Sequence, residues 1–137
     1  YLIELNEQEQ INYYNAIGLI YKRINDYTKA IQYFHKATEV AHRFKRNEWV
    51  GILTGNIGDV YAAQKMFDSA RKHWQMDLDT CIKYKVWGNV VSTSNYWADS
   101  YKQENKPIEA LKYYKKSLQY LDSLPTKEYD NRFTTYK

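Results

Sequence analysis

Displaced by 40 residues the chain aligns with itself without a gap, and it does so again when displaced by 80. Gly18 falls on Gly58 and Ala98, Tyr21 on Tyr61 and Tyr101, Ala30 on Ala70 and Ala110, and Phe34 on Trp74 and Tyr114. Ile17, Ile57 and Trp97 share a further column, as do Tyr27 and Phe67. A period of this length requires one supersecondary unit to be built three times, each copy burying its apolar side against the next.

Spacing within the columns gives the unit. Gly18 and Tyr21 are three residues apart and Ala30 and Phe34 four, so each pair shares one face of a helix. Two helices per unit follow. The first helices are expected at Glu7–Arg23, Glu48–Gln64 and Gly88–Glu104, the second at Tyr27–Phe44, Phe67–Tyr84 and Pro107–Ser123. Five glycines and two prolines in 137 residues are too few for a chain of many tight turns, which agrees with helices. Asn25 and Asp26 can cap the helix that begins near Tyr27, Asn47 the next one, and Pro107 suits a first helical turn, where its missing N–H costs nothing. Asn105 repeats the role of Asn25. After Pro125 the stretch TKEYDNRFTTYK has the polarity and position of a fourth unit's first helix. Because the chain starts at Tyr1 rather than Met and stops within that unit, a fragment of a longer array is expected.

In the first unit Tyr14, Ile17, Gly18, Tyr21, Ala30, Phe34 and Ala37 resemble the tetratricopeptide-repeat family. Three units in ungapped register make the likeness specific. There are departures: the period is 40 where the family's is about 34, Asp77 and Ser117 stand in the column of Ala37, Thr54 and Ser94 in that of Tyr14, and Lys65 replaces the turn Asn. The resemblance implies an all-α, right-handed helical-hairpin solenoid forming a single domain, with repeats at about 7–46, 47–86 and 87–125 and the start of a fourth at 126–137. It also implies a non-enzymatic module without a cofactor, binding a protein or peptide segment in a concave groove. The longer unit is similar to the repeat regions of bacterial sensor kinases, transcription regulators and peptide-pheromone receptors, which implies a sensor or scaffold role. An architectural spacer or a self-associating array is the competing expectation.

Helical spacing defines which residues would line such a groove. Asn12, Asn15, Leu19 and Lys22 form one strip in the first unit; Ile52, Gly55, Asp59 and Ala62 form it in the second; Ser92, Asn95, Asp99 and Lys102 form it in the third. The strip is mostly polar and lies beside the apolar one, so its members are expected to be exposed and free to contact a ligand. Asn can donate to and accept from a peptide backbone, while Asp59 and Asp99 favour a partner offering Lys, Arg or a free amine. Gly55, between Asn15 and Asn95 in its column, would leave a dent in the groove floor. Tyr96 and Arg132 flank the strip.

Other chemistries are excluded by spacing. The glycine-rich stretch GILTGNIGDVYAAQ, residues 51–64, lacks the Lys-Ser/Thr that follows a phosphate-binding loop and the Gly-x-Gly of a dinucleotide site. It reads instead as a first helix with Gly58 as a packing residue. His35 and His42 are seven apart and His73 shares neither column, which supplies no metal site. Cys81, beside Ile82 on an apolar stretch, reads as core and has no catalytic partner in a recognisable pattern. The net charge of +4 is small and interspersed, and the basic clusters at residues 42–46 and 112–116 read as a solvated convex face and not as a nucleic-acid site. No apolar run approaches a membrane span, so no membrane contact is expected within this segment, and the compartment stays open between cytoplasm and periplasm.

Overall fold

A left-handed residue turns the chain at every twentieth position: Asn25, Lys45, Lys65, Lys85 and Asn105 have φ of 65°, 57°, 61°, 59° and 59°. The structure, a computed structural model, describes residues 5–124. Between the turns lie six helices: α1 (Glu7–Arg23), α2 (Tyr27–Arg43), α3 (Asn47–Ala63), α4 (Phe67–Lys83), α5 (Trp87–Gln103) and α6 (Pro107–Leu121). Among the described residues there is no strand. The expected fourth unit at 126–137, and Arg132 with it, lie outside the described residues.

All five turns use one hydrogen-bond pattern. At the first, the Asp26 N–H donates to Tyr21 O (2.9 Å) and the Asn25 N–H to Lys22 O (3.0 Å). The same pair recurs at Lys45 and Arg46, Lys65 and Met66, Lys85 and Val86, and Asn105 and Lys106. This is the Schellman closure, in which the N–H of the left-handed residue and that of the next residue satisfy the last carbonyls of the helix. Asn25 and Asn105 announce it. Three Lys do not, because their side chains carry no preference for that conformation.

Capping agrees with the sequence in part. Asp26 accepts from the Lys29 N–H (3.2 Å), and Pro107 opens α6. Asn47, expected as a cap, is instead the first residue of α3; Arg46 precedes it and makes no side-chain cap bond. The reason is the turn itself: the closure at Lys45 leaves only Arg46 between the left-handed residue and the helix.

One compact unit ends at Thr80, within α4, and a second begins at Cys81. In the first, Ile11, Ala30, Phe34, Ala37, Val40, Ala41, Leu53, Ile57 and Val60 form a closed apolar cluster with Ile31, Trp49 and Val50 packed on it. The small residues of the first helices are what let the second helices approach. A Cβ on Gly18 would lie 2.7 Å from the Phe34 ring, and one on Gly58 2.8 Å from the Trp74 ring. In the second unit Val90, Val91, Trp97, Ala98 and Ala110 are buried, and Ser117 Oγ donates to Val91 O (3.2 Å). Cys81 is buried as expected, with Asn89 Nδ2 donating to its Sγ at 3.2 Å.

The Tyr-rich composition has a structural use. One pair of columns places a ring against a ring in every hairpin: Tyr21 with Tyr33 (5.5 Å), Tyr61 with His73 (5.1 Å) and Tyr101 with Tyr113 (5.7 Å). Lys36 and Lys116, in one column, lie over Tyr33 and Tyr113 at 4.6 and 4.7 Å. Such pairs cover the apolar seam while keeping polar edges in water.

Candidate functional site

The polar strip of the first unit lies on α1 and α3. Asn12 is exposed, and its Oδ1 accepts from Gln8 Nε2 (2.8 Å). Gln8 Oε1 in turn accepts from Arg46 Nη2 (2.5 Å), and Arg46 Nε lies 3.0 Å from Glu48 Oε1. The start of α1 is thereby tied to the start of α3. One turn further on, Asn56 Nδ2 donates to Asn15 Oδ1 at 2.8 Å. Asn15, Lys22 and Ile52 are half-buried.

Gly55 departs from expectation. It is buried, and the side chain of Asp77 lies on it: a Cβ at Gly55 would stand 2.7 Å from Asp77 Cγ. The missing side chain makes no dent in a groove floor; it admits a carboxylate from α4 that is 1% exposed. Asp77 was not among the expected site residues. Its signal was in the columns: where the first helix carries Asn15 or Asn95 the second carries Ala37 or Ser117, and where the first carries Gly55 the second carries Asp77. Large and small exchange places.

The two Asp residues of the strip are also engaged. Trp74 Nε1 donates to Asp59 Oδ1 at 2.8 Å, and the Tyr114 hydroxyl donates to Asp99 Oδ1. Both pairs are fifteen residues apart and occupy the same columns; in the first unit those columns hold Leu19 and Phe34, with nothing to donate or accept. Asp therefore appears where the packing ring carries a donor. Burial pushes the Asp59 carboxyl up from 3.8 to about 7; the Trp74 hydrogen bond and the Lys22 charge oppose the rise, and the Asp77 charge adds to it. Tyr114 is raised to about 12, first by its hydrogen bond to Asp99 and then by burial. Of the remaining α5 residues, Ser92 and Asn95 are half-buried and Lys102 is exposed, as is the flanking Tyr96.

In the first unit, then, Asn12, Asn15, Lys22 and Asp59 adjoin along α1 and α3, with Gly55 withdrawn beneath Asp77. Among the described residues no group of three or more His, Cys, Asp or Glu side chains could hold a metal ion, and no helix is long and apolar enough to cross a membrane.

Residues 9–76 match the family model of the tetratricopeptide repeat. The chain belongs to the tetratricopeptide-repeat family. Its fold is similar to the crystal structure of the tetratricopeptide-repeat domain of Arabidopsis FLU, with a TM-score of 0.73 at 18% identity over 87% of this chain and 100% of that one. At that identity the likeness speaks for the fold alone. No curated protein matches the chain. Tetratricopeptide-repeat domains are generally non-catalytic modules that bind protein partners, and the hairpins described above have that architecture.

Proposed function

We propose that the polar strip of α1 and α3 is a docking surface for a peptide or protein segment, with Asn12, Asn15, Lys22, Ile52 and Asp59 as its contacting residues. Ser92, Asn95, Asp99 and Lys102 would form the corresponding strip of the second unit. The observation that carries this reading is the hydrogen bond from Asn56 Nδ2 to Asn15 Oδ1, which joins two successive first helices along the strip. The Lys22 charge acts across the same two helices, opposing the rise that burial imposes on the Asp59 carboxyl. A strip of amides and opposed charges held on rigid helices can pair with a peptide backbone at little ordering cost. Its action is surface complementarity and not catalysis. Asp59, poised near neutrality, favours a partner side chain that is a base, because the incoming cation keeps the carboxyl ionised. The 40-residue period supports a sensor or scaffold region of a bacterial signalling or transcription-regulatory protein as its setting.

The reading is tested by selecting binders from an array of ten-residue peptides and measuring the selected peptides by fluorescence anisotropy. Asn12→Ala and Lys22→Ala should each weaken binding about tenfold or more, the scale of one lost charge-assisted hydrogen bond, with the helical circular dichroism of the folded chain retained at the assay temperature. Full affinity in both variants refutes the assignment.

A further inference from the structure

Within the polar strip of α1 and α3 stands an apolar side chain that faces solvent. Leu19 is 44% exposed, with Asn15 one turn before it and Lys22 one turn after it on the same face of α1. Its column explains how it comes to be there. The later repeats carry Asp59 and Asp99 in that column, each held by a ring that donates, whereas the ring of the first repeat, Phe34, has nothing to donate. A single exposed Leu is ordinary. The chemistry of the residues beside this one gives it a ligand to select.

The first neighbour is the amide pair. The bond from Asn56 Nδ2 to Asn15 Oδ1 uses one donor and one acceptor, so Asn15 Nδ2 and Asn56 Oδ1 remain to meet a backbone C=O and N–H. An extended peptide segment offers both. The second neighbour is Asp59, the column mate of Leu19 on α3. Leu19 follows Asn15 by four residues and Asp59 follows Asn56 by three, so both stand about one turn beyond the amide pair. Trp74 takes Asp59 Oδ1, which leaves Oδ2 to a partner. The charges that act on Asp59 are Lys22 from α1 and Asp77 from α4, so with both carboxyls ionised this corner is negative on balance and complements a cation.

We propose that the segment bound here is extended and carries an apolar side chain two residues from a Lys or Arg, the apolar one seated on Leu19 and the basic one on Asp59, with its backbone paired to Asn15 and Asn56. The spacing follows from geometry. Packed helices lie about 8–10 Å apart, same-face side chains of an extended chain about 7 Å apart, and the flexible stem of Lys or Arg spans the difference. This inference rests on the strip being the docking surface, and it adds what that surface selects.

The experiment uses the full chain and the array of ten-residue peptides. Each selected peptide is rescanned by single substitution against the unmodified chain, Leu19→Ala, Leu19→Asp and Asp59→Asn, with circular dichroism confirming that each variant is folded. The unmodified chain should select an apolar and a basic residue two apart, and replacing either by Ala should weaken binding about tenfold. Leu19→Ala should lose the apolar preference alone, and Asp59→Asn the basic preference alone. Leu19→Asp should exchange the apolar preference for a second basic one, a change of selectivity that a loss of stability cannot produce. Peptides that are weakened by Asn12→Ala and Lys22→Ala but show no such spaced pair, or a Leu19→Asp chain that selects the same pair as the unmodified one, overturn this inference and leave the strip as the docking surface. Peptides indifferent to Asn12→Ala and Lys22→Ala, or an array that yields no binder, overturn both.

Discussion

The side chain of Asp77 occupies the place where any side chain at Gly55 would begin, with its Cγ only 2.7 Å from that point. A glycine inside a helix costs about 1 kcal/mol against alanine, so an isolated Gly55→Ala change in a solvated helix would be stabilising. Here the sign reverses. Asp77 is short and 1% exposed, and its carboxylate has no solvent to retreat into. Gly55→Ala should lower stability by about 1–3 kcal/mol, while Gly55→Ala combined with Asp77→Ala should recover most of that loss. Urea unfolding of the two single variants and the double variant gives the coupling directly. An additive cycle would mean that the two residues do not touch.

Trp74 is the largest fully buried side chain among the described residues and the donor to Asp59. Trp74→Ala should cost about 3–5 kcal/mol through the cavity it leaves. Trp74→Phe keeps most of the ring but strands the Asp59 carboxyl without its donor, and should cost about 1–3 kcal/mol. A Phe variant as stable as the parent would show that the hydrogen bond contributes nothing net. Both are read from the unfolding midpoint at constant slope.

The three left-handed lysines offer a change in the opposite direction. Lys45, Lys65 and Lys85 have φ near 60°, where a side chain costs about 1–2 kcal/mol. Glycine relieves that strain but loses about 0.5–1 kcal/mol of it again to the unfolded chain's freedom. Lys45→Gly, Lys65→Gly and Lys85→Gly should each therefore raise stability by up to about 1 kcal/mol. Asn25→Gly should do less, since Asn already tolerates the conformation. Thermal melts of the four variants make the comparison.

The helices were legible because the columns repeat: a face that recurs three times at 3.6-residue spacing leaves little freedom, and all six helix starts came within one residue of those expected. The turns were half legible, since Asn25 and Asn105 carry a conformational signal and the lysines carry none. What a single helix cannot show is which neighbour covers it. Asp59, Asp99 and Gly55 lie on a strip that reads as open, yet Trp74, Tyr114 and Asp77 reach them from the following helix. The information was present as paired columns, Leu19 with Phe34 against Asp59 with Trp74, and it becomes readable only once the two helices are known to pack.

Asp59 gives the fold a dependence on pH whose sign follows from its surroundings. Its carboxyl is raised to about 7 in the folded chain, with burial the largest cause, and titrates near 3.8 when unfolded. Between those values the folded state holds a proton that the unfolded state has released. Its contribution to stability is thus fully present below about pH 4 and is lost as pH rises through 7, by at most about 1.4 kcal/mol per pH unit. Other groups titrate in the same range, so the measurement is a comparison with Asp59→Asn, which keeps an acceptor for Trp74 and has no proton to lose. The stability of the unmodified chain relative to Asp59→Asn should fall as pH is raised from 4.5 to 7 and level off above about 8. Lys22→Ala should carry the fall on to higher pH, because the lysine charge is one of the two influences that hold the carboxyl down. A difference between the unmodified chain and Asp59→Asn that does not change with pH would mean that the carboxyl is hydrated and the dry surroundings assigned to it are wrong.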